Sequence, residues 1–166
     1  VFPNSKINLG LSITGKRPDG YHNIETVLYP VNWCDGLEVI EGGEDEFELI
    51  IKGIPVEGKK EENLVFKVWQ KVRECRNLPS IKVVLQKNVP MGAGLGGGSS
   101  DAAFFLQLMN DKFKLNLCRE ESIDIVSSIG SDCRFFLENR PVFASGKGDD
   151  LKELDLDLSA YYILIV

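Results

Sequence analysis

At 166 residues and 43% hydrophobic content the chain can bury one sizeable core, so one domain is expected. A net charge of −6, with no basic patch and no aromatic–basic repeat, argues against polymeric nucleic acid as a partner and stays compatible with a small anionic substrate held by local donors. No apolar run approaches the roughly 20 residues of a membrane span, the first 20 residues lack a signal-peptide pattern, and four scattered cysteines without a C-x-x-C pair predict reduced thiols, no structural zinc and a cytoplasmic protein.

Residues 6–13 alternate, with Ile7, Leu9, Leu11 and Ile13 on one face and Lys6, Asn8, Gly10 and Ser12 on the other. That predicts a strand with an apolar core face. Lys6 and Asn8 then point the same way beside a small glycine, either lining a cleft or forming an ordinary solvated face. Residues 16–22, KRPDGYH, form a Pro-Asp-Gly turn ending in the only histidine. Tyr21 and His22 are suited to stacking on and hydrogen-bonding a flat polar ring, although a lone histidine is more often structural. A single histidine also leaves little room for a His-based metal site or a Ser-His-Asp triad.

Strands are expected over residues 24–31, 37–41 and 47–52, with the acidic run 44–48 as a solvated hairpin tip. After the turn-rich residues 53–60, Asn63 is expected to cap a helix through Cys75, with Leu64, Val68, Val72 and Cys75 on its buried face and Trp69 beside it. Ile81, Val83 and Leu85 then alternate with Lys82, Val84 and Gln86 in a strand ending near Lys87.

Residues 90–103 read PMGAGLGGGSSDAA, with five glycines among the first nine. Helical spacing of Ala102, Phe105, Leu106, Met109 and Phe113 follows, with Ser99, Ser100 or Asp101 available as N-cap. A glycine loop between a strand and a helix lets backbone N–H groups close around a phosphate, and the helix N-terminus adds positive partial charge. The loop fits neither the Walker A ending nor G-x-G-x-x-G. A flexible linker is the alternative, which the tight bracketing by two periodic elements disfavours. Ile123, Val126 and Ile129 mark a second helix, with Gly130 as its expected C-cap. Asp132 follows, flanked by apolar residues; it is either a carboxylate of tuned proton affinity or the cap of a following turn. Strands are expected over 141–145 and 160–166. Strands early and helices later indicate an α+β fold.

Three segments, PNSKINLGLSITGKRPDGYHNIETV, PMGAGLGGGSSDAA and GSDCRFF, occur in an order and at separations that resemble the 4-diphosphocytidyl-2-C-methyl-D-erythritol kinases of the GHMP kinase superfamily. The glycine loop carries the likeness to the superfamily and KRPDGYHNIETV the likeness to the particular family. The resemblance covers most of the chain, including EENL at 61–64 and GKGDDL at 146–151.

What the resemblance implies is an ATP- and Mg²⁺-dependent kinase that phosphorylates the 2-hydroxyl of a cytidine-diphosphate-linked sugar alcohol in the non-mevalonate isoprenoid pathway. Asp132 would be the base and Lys6 its cationic partner, with Asn8 lining the same cleft. Tyr21 and His22 would hold the cytosine. Gly92, Gly94, Gly96, Gly97, Gly98, Ser99 and Ser100 would form the phosphate loop, and Val56, Asn63 and Lys87 would lie near the adenine; no protein metal ligand is implied. The fold implied is an N-terminal GHMP-kinase domain, a mixed or antiparallel sheet packed with helices, with the family's C-terminal α+β domain expected to be absent from residues 1–166. The chain departs from many relatives at Cys133-Arg134, where they have an aliphatic residue and a proline. An arginine facing Asp132 would weaken it as a base. Two other readings therefore stay open: a nucleotide-binding module without catalysis, and a GHMP kinase acting on another small alcohol.

Overall fold

A computed structural model describes residues 1–165. Two long strands, β1 (Asn4–Lys16) and β2 (His22–Cys34), form an antiparallel hairpin closed by the Pro-Asp-Gly turn. In that turn the Arg17 N–H donates to the Tyr21 carbonyl at 2.8 Å and Gly20 takes φ +86°. The next strands, β3 (Gly36–Glu41) and β4 (Phe47–Gly53), do not pair with each other. Strand β5 (Ile81–Lys87) lies between them, antiparallel to β3 and parallel to β4. The acidic run 44–48 is therefore not a hairpin tip; its first residues belong to a connection that passes over the place β5 fills. Helix α1 (Leu64–Cys75), capped by the Asn63 carboxamide accepting from the Val65 N–H at 2.9 Å, makes the crossover that a parallel pair requires.

Helix α2 (Gly97–Phe113) follows the glycine loop, and α3 (Arg119–Ser127) and α4 (Cys133–Glu138) follow it. The N-cap position of α2 is Gly96, not Ser99, Ser100 or Asp101, because the helix begins inside the glycine run. Helix α3 is capped at its C-terminus by Ser128 rather than Gly130, which lies two residues further on. Two short strands, β6 (Val142–Ser145) and β7 (Asp150–Glu153), extend the hairpin into a four-stranded antiparallel sheet of order β1-β2-β6-β7. Residues 160–165 form no strand: none of them pairs with a neighbouring strand, and Tyr162 and Leu164 lie in solvent. The last position of that expected strand, Val166, lies outside the described residues.

The main core sits between the three-stranded sheet and the helices. Leu37, Val39, Ile81, Val83 and Leu85 meet Val65, Val68 and Val72 of α1 and Phe105, Leu106 and Met109 of α2, all buried. A second cluster, Leu28, Ala103, Phe135, Phe136, Val142 and Ala144, seats α2 and α4 on the four-stranded sheet. The fold is thus α+β, as expected, with two sheets in place of one.

The period-two reading of β1 fails after Leu9. Leu9 pairs with Val27 and Leu11 with Thr26, so Gly10, at φ +69°, is an unpaired extra residue. Such a bulge flips the following side chains to the other face. Leu11 and Ile13 consequently leave the face of Ile7 and Leu9 and share that of Lys6, Asn8, Thr26 and Leu28, where they are 59% and 67% exposed. The buried side of the hairpin is this Lys6 and Leu28 side, and Ile7 and Leu9, expected on the core face, are only half-buried and belong to neither core cluster.

Candidate active site

The second cluster packs α4 and α2 against β2, the strand paired with β1, and the candidate site lies where β1, the glycine loop and α4 meet. The backbone N–H of Lys6 donates to the Leu95 carbonyl at 2.9 Å, tying the strand to the loop. Its ammonium donates to Asn8 Oδ1 at 2.6 Å and lies 3.5 Å from Asp132 Oδ2. The Lys6 side chain is 7% exposed and that of Asp132 37%, so a buried cation faces a carboxylate that solvent or substrate can reach. Asn8 Nδ2 donates to Thr26 Oγ1 at 3.0 Å, and the Thr26 hydroxyl donates to the Gly10 carbonyl at 2.5 Å. The bulge therefore supplies the acceptor that ends this relay. Thr26 was not singled out from the sequence; a hydroxyl two residues from buried Leu28 on a predicted strand is its only signal.

Asp132 occupies the N-cap position of α4, a six-residue helix where the sequence suggested only a turn. Phe135 and Phe136 bury into the second cluster and hold this helix start in place. Cys133 is fully buried, with its thiol pushed up to about 11 chiefly by burial, so it packs as a small hydrophobe rather than reacting. Arg134 does not face Asp132: its guanidinium donates to the Asp149 carbonyl at 3.1 Å.

Gly92, Gly94 and Gly96 take φ of +73°, +74° and +71°, a run of left-handed backbone that side-chain-bearing residues rarely adopt. At Gly96 a Cβ would also lie 2.9 Å from the Phe136 ring and 3.1 Å from Lys6 Cγ. Gly96→Ala should therefore lose about 1–2 kcal/mol from backbone strain alone, seen as a lower urea midpoint, with the ring contact adding to it. At Gly97 a Cβ would sit 3.1 Å from Val89, whereas Gly98 has ordinary room. Gly97, Gly98 and Ser99 open α2, where the first amides have no intrahelical partner. Ser99 lies against Gly130 and Cys133, and Ser100 Oγ is buried without a hydrogen-bond partner. Free amides and three glycines held in left-handed backbone fit a polyphosphate, and the orphaned hydroxyl fits an accompanying Mg²⁺.

Beside the loop a cavity of about 270 Å³ is lined by Val56, Asn63, Leu64, Lys87, Met91, Gly98 and Asp101, among others. The three residues expected near an adenine thus come together. Lys87, however, has no free ammonium to offer: it is fully buried, paired with Asp35 and, at 2.8 Å, with Asp101. The other oxygen of Asp35 accepts from the backbone N–H groups of Asn88 (2.6 Å) and Val89 (2.8 Å), where the glycine loop departs. Burial pushes Asp101 up to about 7, against the attraction of Lys87. Lys87 and Asp101 of this buried cluster line the cavity, with Asp35 behind them, and neither Asp35 nor the role of Asp101 was evident from the sequence.

Tyr21 and His22 are exposed at the far end of the hairpin. His22 lies on the same face of β2 as Thr26, four residues and roughly 13 Å of strand away. The Lys147 ammonium stands 4.7 Å from the centroid of the Tyr21 ring and 2.8 Å from Asp19 Oδ2, holding that carboxyl down at about 2. Lys147 is a further site residue that the GKGDDL motif marked without assigning. The hairpin thus carries an ion-paired aromatic ring at its far end and, further along, a lysine–carboxylate pair beside the glycine loop.

The family model described as GHMP kinases N terminal domain matches residues 63–138. A curated relative from Bacteroides fragilis, named 4-diphosphocytidyl-2-C-methyl-D-erythritol kinase, is 46% identical over 100% of this chain and 61% of its own length. One of the same name from Cytophaga hutchinsonii is 51% identical over 89% of this chain and 54% of its own. The chain therefore spans about three-fifths or less of these relatives. A crystal structure of 4-(cytidine 5'-diphospho)-2C-methyl-D-erythritol kinase matches with a TM-score of 0.80 at 33% identity, covering 95% of this chain and 55% of that one. A mevalonate kinase structure, at TM-score 0.69 and 11% identity, shares the fold. The GHMP kinases N terminal domain model thus lies across the glycine loop and Asp132, the likeness to these kinases runs the length of the chain, and the chain shares the fold of the corresponding part of the crystal structure.

Proposed function

We propose that the protein carrying this chain transfers the γ-phosphoryl group of ATP to the 2-hydroxyl of 4-diphosphocytidyl-2-C-methyl-D-erythritol, in the cytoplasm and as a step of non-mevalonate isoprenoid synthesis. The observation that carries this reading is the position of Lys6 and Asp132, 3.5 Å apart between the glycine loop and the strand face that ends at Tyr21 and His22. Asp132 accepts the proton of the acceptor hydroxyl, and Lys6, oriented by Asn8, stabilises charge on the oxygen that results. The amides of the glycine loop and of the first turn of α2 hold the phosphates in line, the main contribution a protein makes to phosphoryl transfer. Mg²⁺, when bound, would neutralise phosphate charge, and the hydroxyls of Ser99 and Ser100 are the loop groups that would help hold it. Val56 and Asn63 flank the adenine. Tyr21, backed by Lys147, stacks on the cytosine, and His22 hydrogen-bonds its edge.

A binding module without catalysis would need an inert Asp132. Arg134 was the ground for that reading, and its guanidinium bonds elsewhere. An acyclic acceptor such as mevalonate offers no ring for Tyr21. Calorimetry on Tyr21→Ala and His22→Ala tests the acceptor: the first should bind the cytidine diphosphate alcohol at least about fivefold more weakly, in line with roughly 1–3 kcal/mol for a base–aromatic stack, and the second about two- to tenfold more weakly, in line with roughly 0.5–1.5 kcal/mol for a hydrogen bond, while ATP binding stays as in the wild type. Unchanged acceptor binding in both variants would overturn the choice of acceptor.

A further inference from the structure

The turn that carries Lys147 bounds the proposed acceptor site beside Tyr21. It spans residues 146–149 between β6 and β7 at the edge of the four-stranded sheet, and β7 is a four-residue strand with no neighbour beyond it among the described residues. Within the turn, Gly146 and Gly148 take φ of +67° and +92°. The Gly148 N–H donates to the Ser145 carbonyl at 3.0 Å, and the Lys147 N–H donates to Asp149 Oδ1 at 3.0 Å. The Gly146 carbonyl accepts from the Ile24 N–H at 2.8 Å, joining one end of the turn to β2. The other end, at Asp149, is held by Arg134, whose guanidinium donates to the Asp149 carbonyl at 3.1 Å from the second residue of α4. Asp132 stands two positions before Arg134, at the head of that helix. One side chain thus links the helix that presents the base to the turn that presents the cation behind the Tyr21 ring.

Resting on the kinase reading above, we propose that Arg134 is a positioning residue for the acceptor: by tying the 146–149 turn to α4 it keeps Lys147 over Tyr21, so that the ring-holding end of the site and the base are fixed in one frame. Arg134 touches neither acceptor nor nucleotide in this role. It acts through the Asp149 carbonyl, and a lysine, with a single donor head in place of a planar fork, replaces it only in part.

The test uses Arg134→Ala and Arg134→Lys in the full-length protein with two independent readouts. Hydrogen exchange of the Lys147 and Gly148 amides, without ligand, should quicken about tenfold or more in Arg134→Ala and less in Arg134→Lys. The KM for the cytidine diphosphate alcohol should rise about five- to tenfold in Arg134→Ala, with the KM for ATP unchanged and kcat falling less than KM rises. Wild-type exchange rates in Arg134→Ala would overturn the tie. Faster exchange with an unchanged acceptor KM would overturn its use in positioning. If the wild type itself transfers nothing to this acceptor, the kinase reading fails, and the exchange rates still decide whether Arg134 holds the turn.

Discussion

Asp132→Asn is expected to lower phosphoryl transfer by roughly 10³-fold, within the range a positioned general base contributes, while ATP affinity stays within about twofold. The asparagine keeps the shape and the N-cap position of α4 and loses only the ability to accept the proton. Fold and loop should survive, because α4 is held by Phe135 and Phe136 in the second cluster and not by the carboxylate, which is 37% exposed. Lys6 would lose its partner at 3.5 Å but keep the bond to Asn8 Oδ1 at 2.6 Å, so the ammonium stays in place. Steady-state rates beside nucleotide titrations check this. An Asp132→Asn variant retaining more than a tenth of wild-type kcat would remove Asp132 from its assigned role.

Lys87→Ala should be strongly destabilising, costing about 3–5 kcal/mol as expected when one partner of a buried ion pair is removed. Its ammonium faces two buried carboxylates, Asp35 and Asp101, and Asp35 also anchors the backbone from which the glycine loop departs. The unmutated cluster carries a consequence for pH. Asp101 has a folded-state value raised from 3.8 to about 7, chiefly by burial, so between those values the folded chain holds a proton that the unfolded chain has released. Stability is therefore fully present below about pH 4 as far as this group is concerned, falls as pH rises toward 7 and levels off above it. The whole effect is bounded at about 4 kcal/mol, from roughly 3 pH units at 1.36 kcal/mol each. Asp101→Asn should abolish the slope. Urea midpoints at pH 5, 6, 7 and 8 measure it, and a wild-type midpoint that rises from pH 5 to 7 in step with the variant's would contradict the assignment.

Much of this architecture was legible in sequence because its signals are local. The strand before the glycine loop and the helix after it announce themselves by period, and Asn63 by its cap chemistry. What failed was non-local or too short. That β5 inserts between β3 and β4 depends on pairing across tens of residues, which no window of alternating side chains contains, so the connection between β3 and β4 read as a hairpin. Gly10 read as a small residue lining a cleft, when its left-handed backbone re-aims Leu11 and Ile13. Helix α4 has six residues, less than two turns, and gives no periodic signal. Of the site itself, Lys6, Asn8, Asp132 and the glycines were identified and come together. Lys87 was placed near the adenine on the resemblance alone, and the partners that occupy its ammonium, Asp35 and Asp101, lie 52 and 14 residues away along the chain, beyond any local pattern.

The central claim is tested most directly by following, with ³¹P NMR, the full-length protein incubated with ATP, Mg²⁺ and 4-diphosphocytidyl-2-C-methyl-D-erythritol, alongside mevalonate as a ring-free acceptor. The account predicts stoichiometric ADP and a new phosphomonoester resonance with the cytidine diphosphate alcohol and none with mevalonate. ADP and phosphomonoester formed only with mevalonate, or with neither acceptor although ATP binds, would contradict it.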